Sequence, residues 1–167
     1  MPKLSLTNLA LPCGRPILYR KKAPLDKHFF LTYAPRLSIK KTCSMIKFVY
    51  CVRRHPSLTP EAFRKYWVER HGPYVASFAT ALKARRYVQS HTVGDELNSI
   101  VRQLRGTTEP YDGITEIWWD SIEDLIAANS TPEGQKANQL LAQDEARFVD
   151  LSKSCVFFTE EHTVFDR

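Results

Sequence analysis

A short segment with large apolar residues on both of its faces limits the folds that this chain can adopt. The segment Gly113–Asp120 reads GITEIWWD, and successive side chains of a β-strand point to opposite faces of a sheet. The two alternating sets are Ile114, Glu116 and Trp118 on one face, and Thr115, Ile117 and Trp119 on the other. A sheet with one solvated face carries apolar residues only at every second position, so both faces of this strand need cover.

The other predicted elements indicate how that cover is arranged. Three further segments are rich in β-branched and aromatic residues and are predicted strands: Ile46–Arg53, Arg85–Val93 and Cys155–Phe165. The order strand, helix, strand, strand, helix, strand predicts an α+β fold, the ferredoxin-like split βαββαβ arrangement with helices on one face of a four-stranded antiparallel sheet. We expect a second copy to cover the other face, which closes a dimeric α+β barrel about a twofold axis.

The best-marked helix lies in the segment Thr59–Pro73, TPEAFRKYWVERHGP. A threonine N-cap and a proline in the first turn mark its start. Phe63, Trp67 and His71 recur every four residues, so they share one side of the helix. The Gly72-Pro73 pair interrupts the helical hydrogen bonds, and we expect the chain to turn there and to restart as a second helix.

His71 has two interpretations. At the C-terminal end of a helix, a histidine caps carbonyl groups and interacts favourably with the helix dipole, without a chemical role. Alternatively, its imidazole exchanges protons near neutral pH, as a general acid or base does. The pattern alone does not decide between them.

Four stretches, in the right order, resemble the EthD family, which is named for ethyl tert-butyl ether degradation. They are FRKYWVERHGP in the helix, RRYVQSH in the second strand, YDGITEIWWD followed by SIEDLIA, and FFTEEHTVF in the last strand. The resemblance covers Met45 to Phe165. It implies the dimeric α+β barrel superfamily, whose related barrels use histidine and tyrosine, without metal or organic cofactor, to isomerise lactones, to cyclise or dehydrate polyketide-like compounds, or to oxygenate activated aromatics.

The predicted site lies in the cleft between the sheet and its helices. His71 or His91 is expected to be the general base or acid, and Tyr87 is expected to polarise a carbonyl or to hold an enolate oxygen. The expected substrate-binding residues are Trp67, Phe63, Gln89, Glu116 and Trp118. Core or dimer packing is an equally good interpretation of the two tryptophans, and Tyr87 and Glu116 also suit ordinary strand positions.

The positive charge of the chain is concentrated before the predicted domain. Residues 1–44 hold nine Lys or Arg and one acid, whereas the rest of the chain holds fifteen bases and seventeen acids. The predicted domain, residues 45–167, is therefore close to neutral, and we expect no nucleic-acid partner. The basic extension has three interpretations: a disordered arm, a stretch upstream of a start at Met45, and an organellar transit peptide.

Several classes of protein are not expected. No apolar run is long enough for a membrane span or a signal peptide, so we expect a cytoplasmic protein, or a mitochondrial one if the extension is a transit peptide. The four cysteines show no C-x-x-C spacing, the six glycines form no phosphate-binding cluster, and no histidine stands out as a haem ligand. The sequence thus predicts neither a metal nor an organic cofactor.

Two functions are compatible with these patterns. The first is a cofactor-independent enzyme of the lyase, isomerase or monooxygenase type, which acts on a small hydrophobic carbonyl or phenolic compound by proton transfer. The second is a non-catalytic accessory or ligand-binding protein of a degradation or biosynthetic pathway. Both place a small hydrophobic ligand in a homodimer.

Overall fold

The computed structural model describes residues 45–167. The predictions for the basic extension, and for the compartment that depends on it, lie outside these residues and stay predictions. The elements in chain order are β1 (Ile46–Val52), α1 (Pro60–Tyr66), a π-helical turn (Trp67–His71), α2 (Gly72–Ser77), β2 (Arg86–His91), α3 (Asp95–Arg105), β3 (Gly113–Trp119), α4 (Ile122–Ser130), α5 (Pro132–Glu145) and β4 (Cys155–Glu160). In the described part of the chain, no helix is long and apolar enough to cross a membrane.

The four strands form one antiparallel sheet in the order β2-β3-β1-β4. The predicted α+β, ferredoxin-like arrangement is confirmed. Tyr50 in the centre of β1 lies opposite Thr115 of β3 and Val156 of β4. Since side chains alternate along each strand, this register puts Tyr50, Thr115 and the β2 residues Tyr87, Gln89 and His91 on the same face of the sheet.

That face carries the helices and the main core. Tyr50 and Val52 of the sheet pack against Phe63 and Trp67 of the first helix and against Phe148, which follows α5. Phe63, Trp67 and Phe148 each keep only 1% of their surface exposed. Burying a large apolar side chain contributes about 1.5–3 kcal/mol, so this cluster fixes the first helix against the sheet.

The first helix continues through the predicted break. The hydroxyl of Thr59 accepts a hydrogen bond from the Ala62 N–H, as expected of the N-cap. After one α-helical segment the chain widens into the π-helical turn, in which the Gly72 N–H donates to the Trp67 carbonyl. Pro73, which has no N–H, falls in the first turn of α2, where that absence is tolerated. The expected turn is therefore wrong, and His71 lies within a continuous helical stretch.

The last strand is shorter than predicted. β4 ends at Glu160, and the residues beyond it include Val164 and Phe165, which keep 91% and 78% of their surface exposed. Within residues 45–167, no strand pairs with these side chains beyond the Ile46–Glu160 position of the ladder. The alternation of FFTEEHTVF therefore overestimated the strand, because apolar alternation without a pairing partner does not form a ladder.

Candidate active site

A small cavity lies between the sheet and the helices, as expected. Its volume is about 30 Å³, which is enough for a water molecule. Its walls are mostly apolar, with Trp67 and Phe148 on the helical side and Ile117 on the sheet. Five polar or titratable side chains also line it: Tyr50, His71, Tyr87, Thr115 and Glu145.

His71 is held at the cavity by a carboxylate from the opposite helix. Its Nδ1 lies 2.8 Å from Oδ2 of Asp144, near the end of α5, and its ring packs 4.9 Å from that of Phe148. Tyr66 donates its hydroxyl proton to the other oxygen of Asp144, at 2.7 Å. Since an ionised carboxylate only accepts hydrogen bonds, Nδ1 carries the proton and Nε2 is left with its lone pair.

The protonation of His71 follows from its burial. Only 4% of its side chain is exposed. Burial lowers the pKa of His71, because the charged imidazolium is poorly solvated there, and the negative charge of Asp144 offsets part of this effect. The neutral ring is thus favoured near pH 7, the state in which an imidazole can accept a proton.

Glu145 adds a second group that titrates near neutral pH. It follows Asp144 in the sequence but points to the cavity. Burial, and to a lesser extent the charge of Asp144, raise the pKa of Glu145 to about 7. Its charge also contributes to the raised pKa of Tyr50 and of Tyr87, whose main cause is burial of the phenols. The two acids at the end of α5 therefore differ: Asp144 is hydrogen-bonded to His71, whereas Glu145 lines the cavity with a raised pKa.

Tyr87, Gln89 and His91 form a connected row along β2. The Gln89 amide donates to the Tyr87 hydroxyl oxygen and to the Trp67 carbonyl, each at 3.0 Å. Nε2 of His91 lies 3.3 Å from Oε1 of the Gln89 side chain, and the His91 ring centroid lies 4.6 Å from that of Trp67. Burial, and then the charge of Arg64, lower the pKa of His91. Only Tyr87 of this row lines the cavity, and Gln89 holds its hydroxyl in place.

The structure does not bring every predicted site residue to the cavity. Glu116 and Trp118 lie on the opposite face of the sheet, because they alternate with Thr115 and Ile117 along β3. There Glu116 pairs with Lys47 at 2.9 Å, and Trp118 packs beneath Arg86 and Lys47. The expectation that both contact a substrate in this cleft is corrected accordingly. Phe63 is buried behind Trp67, at a ring distance of 5.1 Å, and does not line the cavity.

Residues 45–167 contain no group of three or more His, Cys, Asp or Glu side chains arranged to hold a metal ion. The two described cysteines, Cys51 and Cys155, are free thiols at facing positions of β1 and β4. They are remote from the helical face, since they alternate with the residues that line the cavity.

Comparison with known proteins identifies the family of the chain. The EthD domain model matches residues 55–152, more than half of the chain. The chain belongs to the EthD family. Comparison with the curated proteins found no match.

Solved structures resemble this EthD protein in fold. An EthD family protein from Bacillus halodurans C-125 is 19% identical, with a TM-score of 0.48, over 71% of this chain and 99% of that chain. An EthD-like protein from Ralstonia eutropha JMP134 is 16% identical, with a TM-score of 0.47, over 75% and 97%. A hydroxynitrile lyase from Passiflora edulis is 9% identical, with a TM-score of 0.50, over 75% and 100%. At such identities the likeness concerns the fold alone.

Sequence reasoning missed three of the titratable groups in this EthD site: Tyr50, Asp144 and Glu145. Asp144 approaches His71 only through tertiary packing of α5, which no local pattern shows. The position of Glu145, in contrast, could have been recognised from its spacing to apolar residues. It follows Leu141 by four residues and precedes Phe148 by three, so it occupies a core-facing position of the helix.

Proposed function

We propose that this EthD domain protein is an enzyme that moves a proton on a small hydrophobic carbonyl or phenolic compound, in a reaction of the lyase, isomerase or monooxygenase type. The observation that carries the proposal is the Asp144–His71 pair, which presents a neutral imidazole to an apolar cavity. Such a pair fixes the tautomer and the direction of the free lone pair, which is what a general base requires.

Three cavity residues have different roles in the proposed proton transfer. Nε2 of His71 takes the proton from an O–H group, or from a C–H group beside a carbonyl, and the electron pair left behind moves onto the substrate oxygen. Tyr87 can stabilise that oxygen: its own oxygen accepts from Gln89, and its hydroxyl hydrogen is directed to a substrate acceptor. Glu145, with a pKa of about 7, returns a proton to the product or receives the one that His71 releases.

The volume of the cavity requires movement on binding. A space of about 30 Å³ is far below the roughly 300–1,000 Å³ of ordinary small-molecule sites. Substrate entry must therefore displace side chains of the lining. The same observation favours the second candidate, a non-catalytic accessory protein, since a closed core can retain its polar groups without turnover. That a hydroxynitrile lyase shares the fold supports the enzyme, because the architecture can carry a catalytic site.

Measuring turnover on a panel of phenolic, lactone and cyanohydrin substrates distinguishes the enzyme from the non-catalytic accessory protein. We expect His71→Ala to lower kcat about 10²-fold or more. Asp144→Asn should lower kcat about 10–100-fold with little change in KM, because it disturbs the orientation of His71 and not substrate contact. His91→Ala tests the second predicted base. His162→Ala is the matched control, since His162 is exposed.

Equal turnover by the wild type and the His71→Ala variant would remove this histidine from the mechanism. Saturable ligand binding with no turnover by the wild type would establish the accessory function instead. Circular dichroism of each variant shows whether the fold is retained.

We also infer that the protein is a homodimer formed through the face of the sheet that the helices leave uncovered. On that face Ile114 and Phe157 keep 36% and 46% of their surface exposed. Two sheets that pack face to face bury such residues and give each strand cover on both sides. The cavity with His71 lies on the other face of the sheet, so each protomer keeps its own site.

A further inference from the structure

A second, larger concavity lies beside the His71–Asp144 pair. It is an open groove of about 460 Å³ between the first helical stretch and α5. Tyr66, Arg70 and Tyr74 recur every four residues along one wall, and Leu140, Asp144 and Arg147 line the other. Asp144 faces this groove while its partner His71 faces the cavity, so the pair separates the two spaces.

The charged residues of the groove lining are two arginines and one aspartate, so the lining has a net positive charge. Arg70 and Arg147 are exposed, and neither forms an ion pair with a carboxylate of residues 45–167. Asp144 is the acidic residue of the lining, and both of its oxygens already accept hydrogen bonds, from Tyr66 and from His71. Two guanidinium groups therefore face one carboxylate that is already occupied.

The remaining lining consists of two tyrosine rings, Leu140 and the amide side chain of Gln143. Tyr66 packs on Phe148 at a ring distance of 5.1 Å, and Tyr74 makes an edge contact with Phe78 at 5.0 Å, so core residues hold both phenol rings. Leu140 completes the apolar wall. A ring-shaped ligand can stack on such a surface, while planar guanidinium groups bind a carboxylate by paired hydrogen bonds.

We propose that this groove is a binding site for a small aromatic carboxylate anion, held by Arg70 and Arg147 and stacked against Tyr66 and Tyr74. The site differs from the cavity in position and in chemistry, and it does not depend on the protein being an enzyme. Because Asp144 lines the groove and is hydrogen-bonded to His71, which lines the cavity, an anion in the groove is sensed at His71 through the Tyr66–Asp144–His71 hydrogen bonds.

Calorimetric titration of the full-length protein with benzoate tests the site, with benzamide as its neutral counterpart of the same shape. We expect benzoate to bind saturably, more weakly as the salt concentration rises, and benzamide to bind at least about tenfold more weakly, which corresponds to about 1.4 kcal/mol. The double variant Arg70→Gln/Arg147→Gln should lose at least tenfold in benzoate affinity. Arg105→Gln, an exposed arginine of α3, is the matched control and should bind as the wild type does.

Two further measurements locate the ligand. The His71 ring signals in an NMR spectrum should shift on addition of benzoate to the wild type but not to the double variant. Tyr87→Phe, which alters the cavity and not the groove, should leave benzoate affinity unchanged. The proposal is overturned if benzoate does not bind, if the double variant binds as tightly as the wild type, or if Tyr87→Phe abolishes binding. None of these outcomes depends on whether His71→Ala retains turnover.

Discussion

At the scale of single residues, Glu145 occupies a position that α5 otherwise fills with apolar side chains. Ala137 and Leu141, two turns and one turn earlier on the same side, keep 0% and 7% of their surface exposed. A carboxyl group at such a position is costly when ionised, because burial removes the water that solvates its charge. Glu145 lies in the same cavity lining as Tyr50 and Tyr87.

Glu145 should make the free energy of unfolding depend on pH. Its pKa is about 7 in the folded protein against an ordinary 4.5, so between these values the folded state binds more protons and loses stability as pH rises. Glu145→Gln should therefore be more stable than the wild type at pH 8, by about 1–3 kcal/mol, and nearly equal to it below pH 4.5. Urea unfolding across this range measures the difference. Glu133→Gln, an exposed acid on the same helix, should show no such gain, and a gain for both variants would contradict the assignment.

Residue by residue, the sequence predicted two of the polar residues of the candidate site, His71 and Tyr87, and one of its apolar walls, Trp67. The four-residue spacing of Trp67 and His71 placed both on the buried side of the first helix, and strand alternation placed Tyr87 on the same face of the sheet. Both predictions used the periodicity of side chains within a single helix or strand. The partner of His71 could not be found in this way, because Asp144 lies 73 positions along the chain. Only the packing of α5 against the first helix brings the two together.

At the scale of elements, the start of β3 is fitted closely to the π-helical turn. A Cβ atom added to Gly113 would lie 2.5 Å from Trp67 Cζ3 and 2.7 Å from the Ser90 carbonyl oxygen. The indole therefore rests directly on the strand backbone, and the same indole packs on His91. Absence of a side chain at Gly113 lets the first helix lie close to the sheet.

Gly113→Ala should displace Trp67 and destabilise the protein by about 1–3 kcal/mol, as expected of an overpacked core. Gly94→Ala is the control: nothing lies within 4 Å of its added Cβ, and the loss should stay below about 1 kcal/mol, the usual cost of a poorer helix N-cap. Chemical denaturation of the two variants gives the comparison. Equal stabilities would show that the indole moves aside without cost.

The elements themselves were more predictable than their ends. Strand positions followed from alternation, and the fold class followed from the order of strands and helices along the chain. The continuous passage through Gly72-Pro73 was not predictable, because a π-helical turn is a local rearrangement that depends on tertiary contacts such as the bond from Gln89 to the Trp67 carbonyl. The burial of α3 could not be predicted either. Its apolar face is not buried within the protomer, because four apolar side chains keep 50% or more of their surface exposed: Leu97, Ile100, Val101 and Leu104.

At the scale of the whole molecule, the two faces of the sheet have different roles. The helical face encloses the cavity and the core, whereas the other face combines apolar residues with the ion pairs of Lys47 to Glu116 and Glu161. Lys47 lies between the two carboxylates, and charges that have an opposite partner are buried at lower cost than single ions. An apolar surface that contains paired charges suits an interface between two copies, because the pairs fix the register while the apolar residues supply the area.

Two neighbouring phenylalanines of β4 test this interface. Phe157 and Phe158 keep 46% and 48% of their surface exposed but point to opposite faces, Phe157 to the open face and Phe158 toward Phe48 on the helical face. If copies pack through the open face, Phe157→Lys should convert the dimer to a monomer, since an unpaired charge is buried at the interface, whereas Phe158→Lys should leave the dimer intact. Sedimentation velocity at several concentrations distinguishes the species. A wild type that sediments as a monomer, or a dimer that only Phe158→Lys dissociates, would place the interface elsewhere; in either case the Asp144–His71 pair, which one protomer completes alone, would be unaffected.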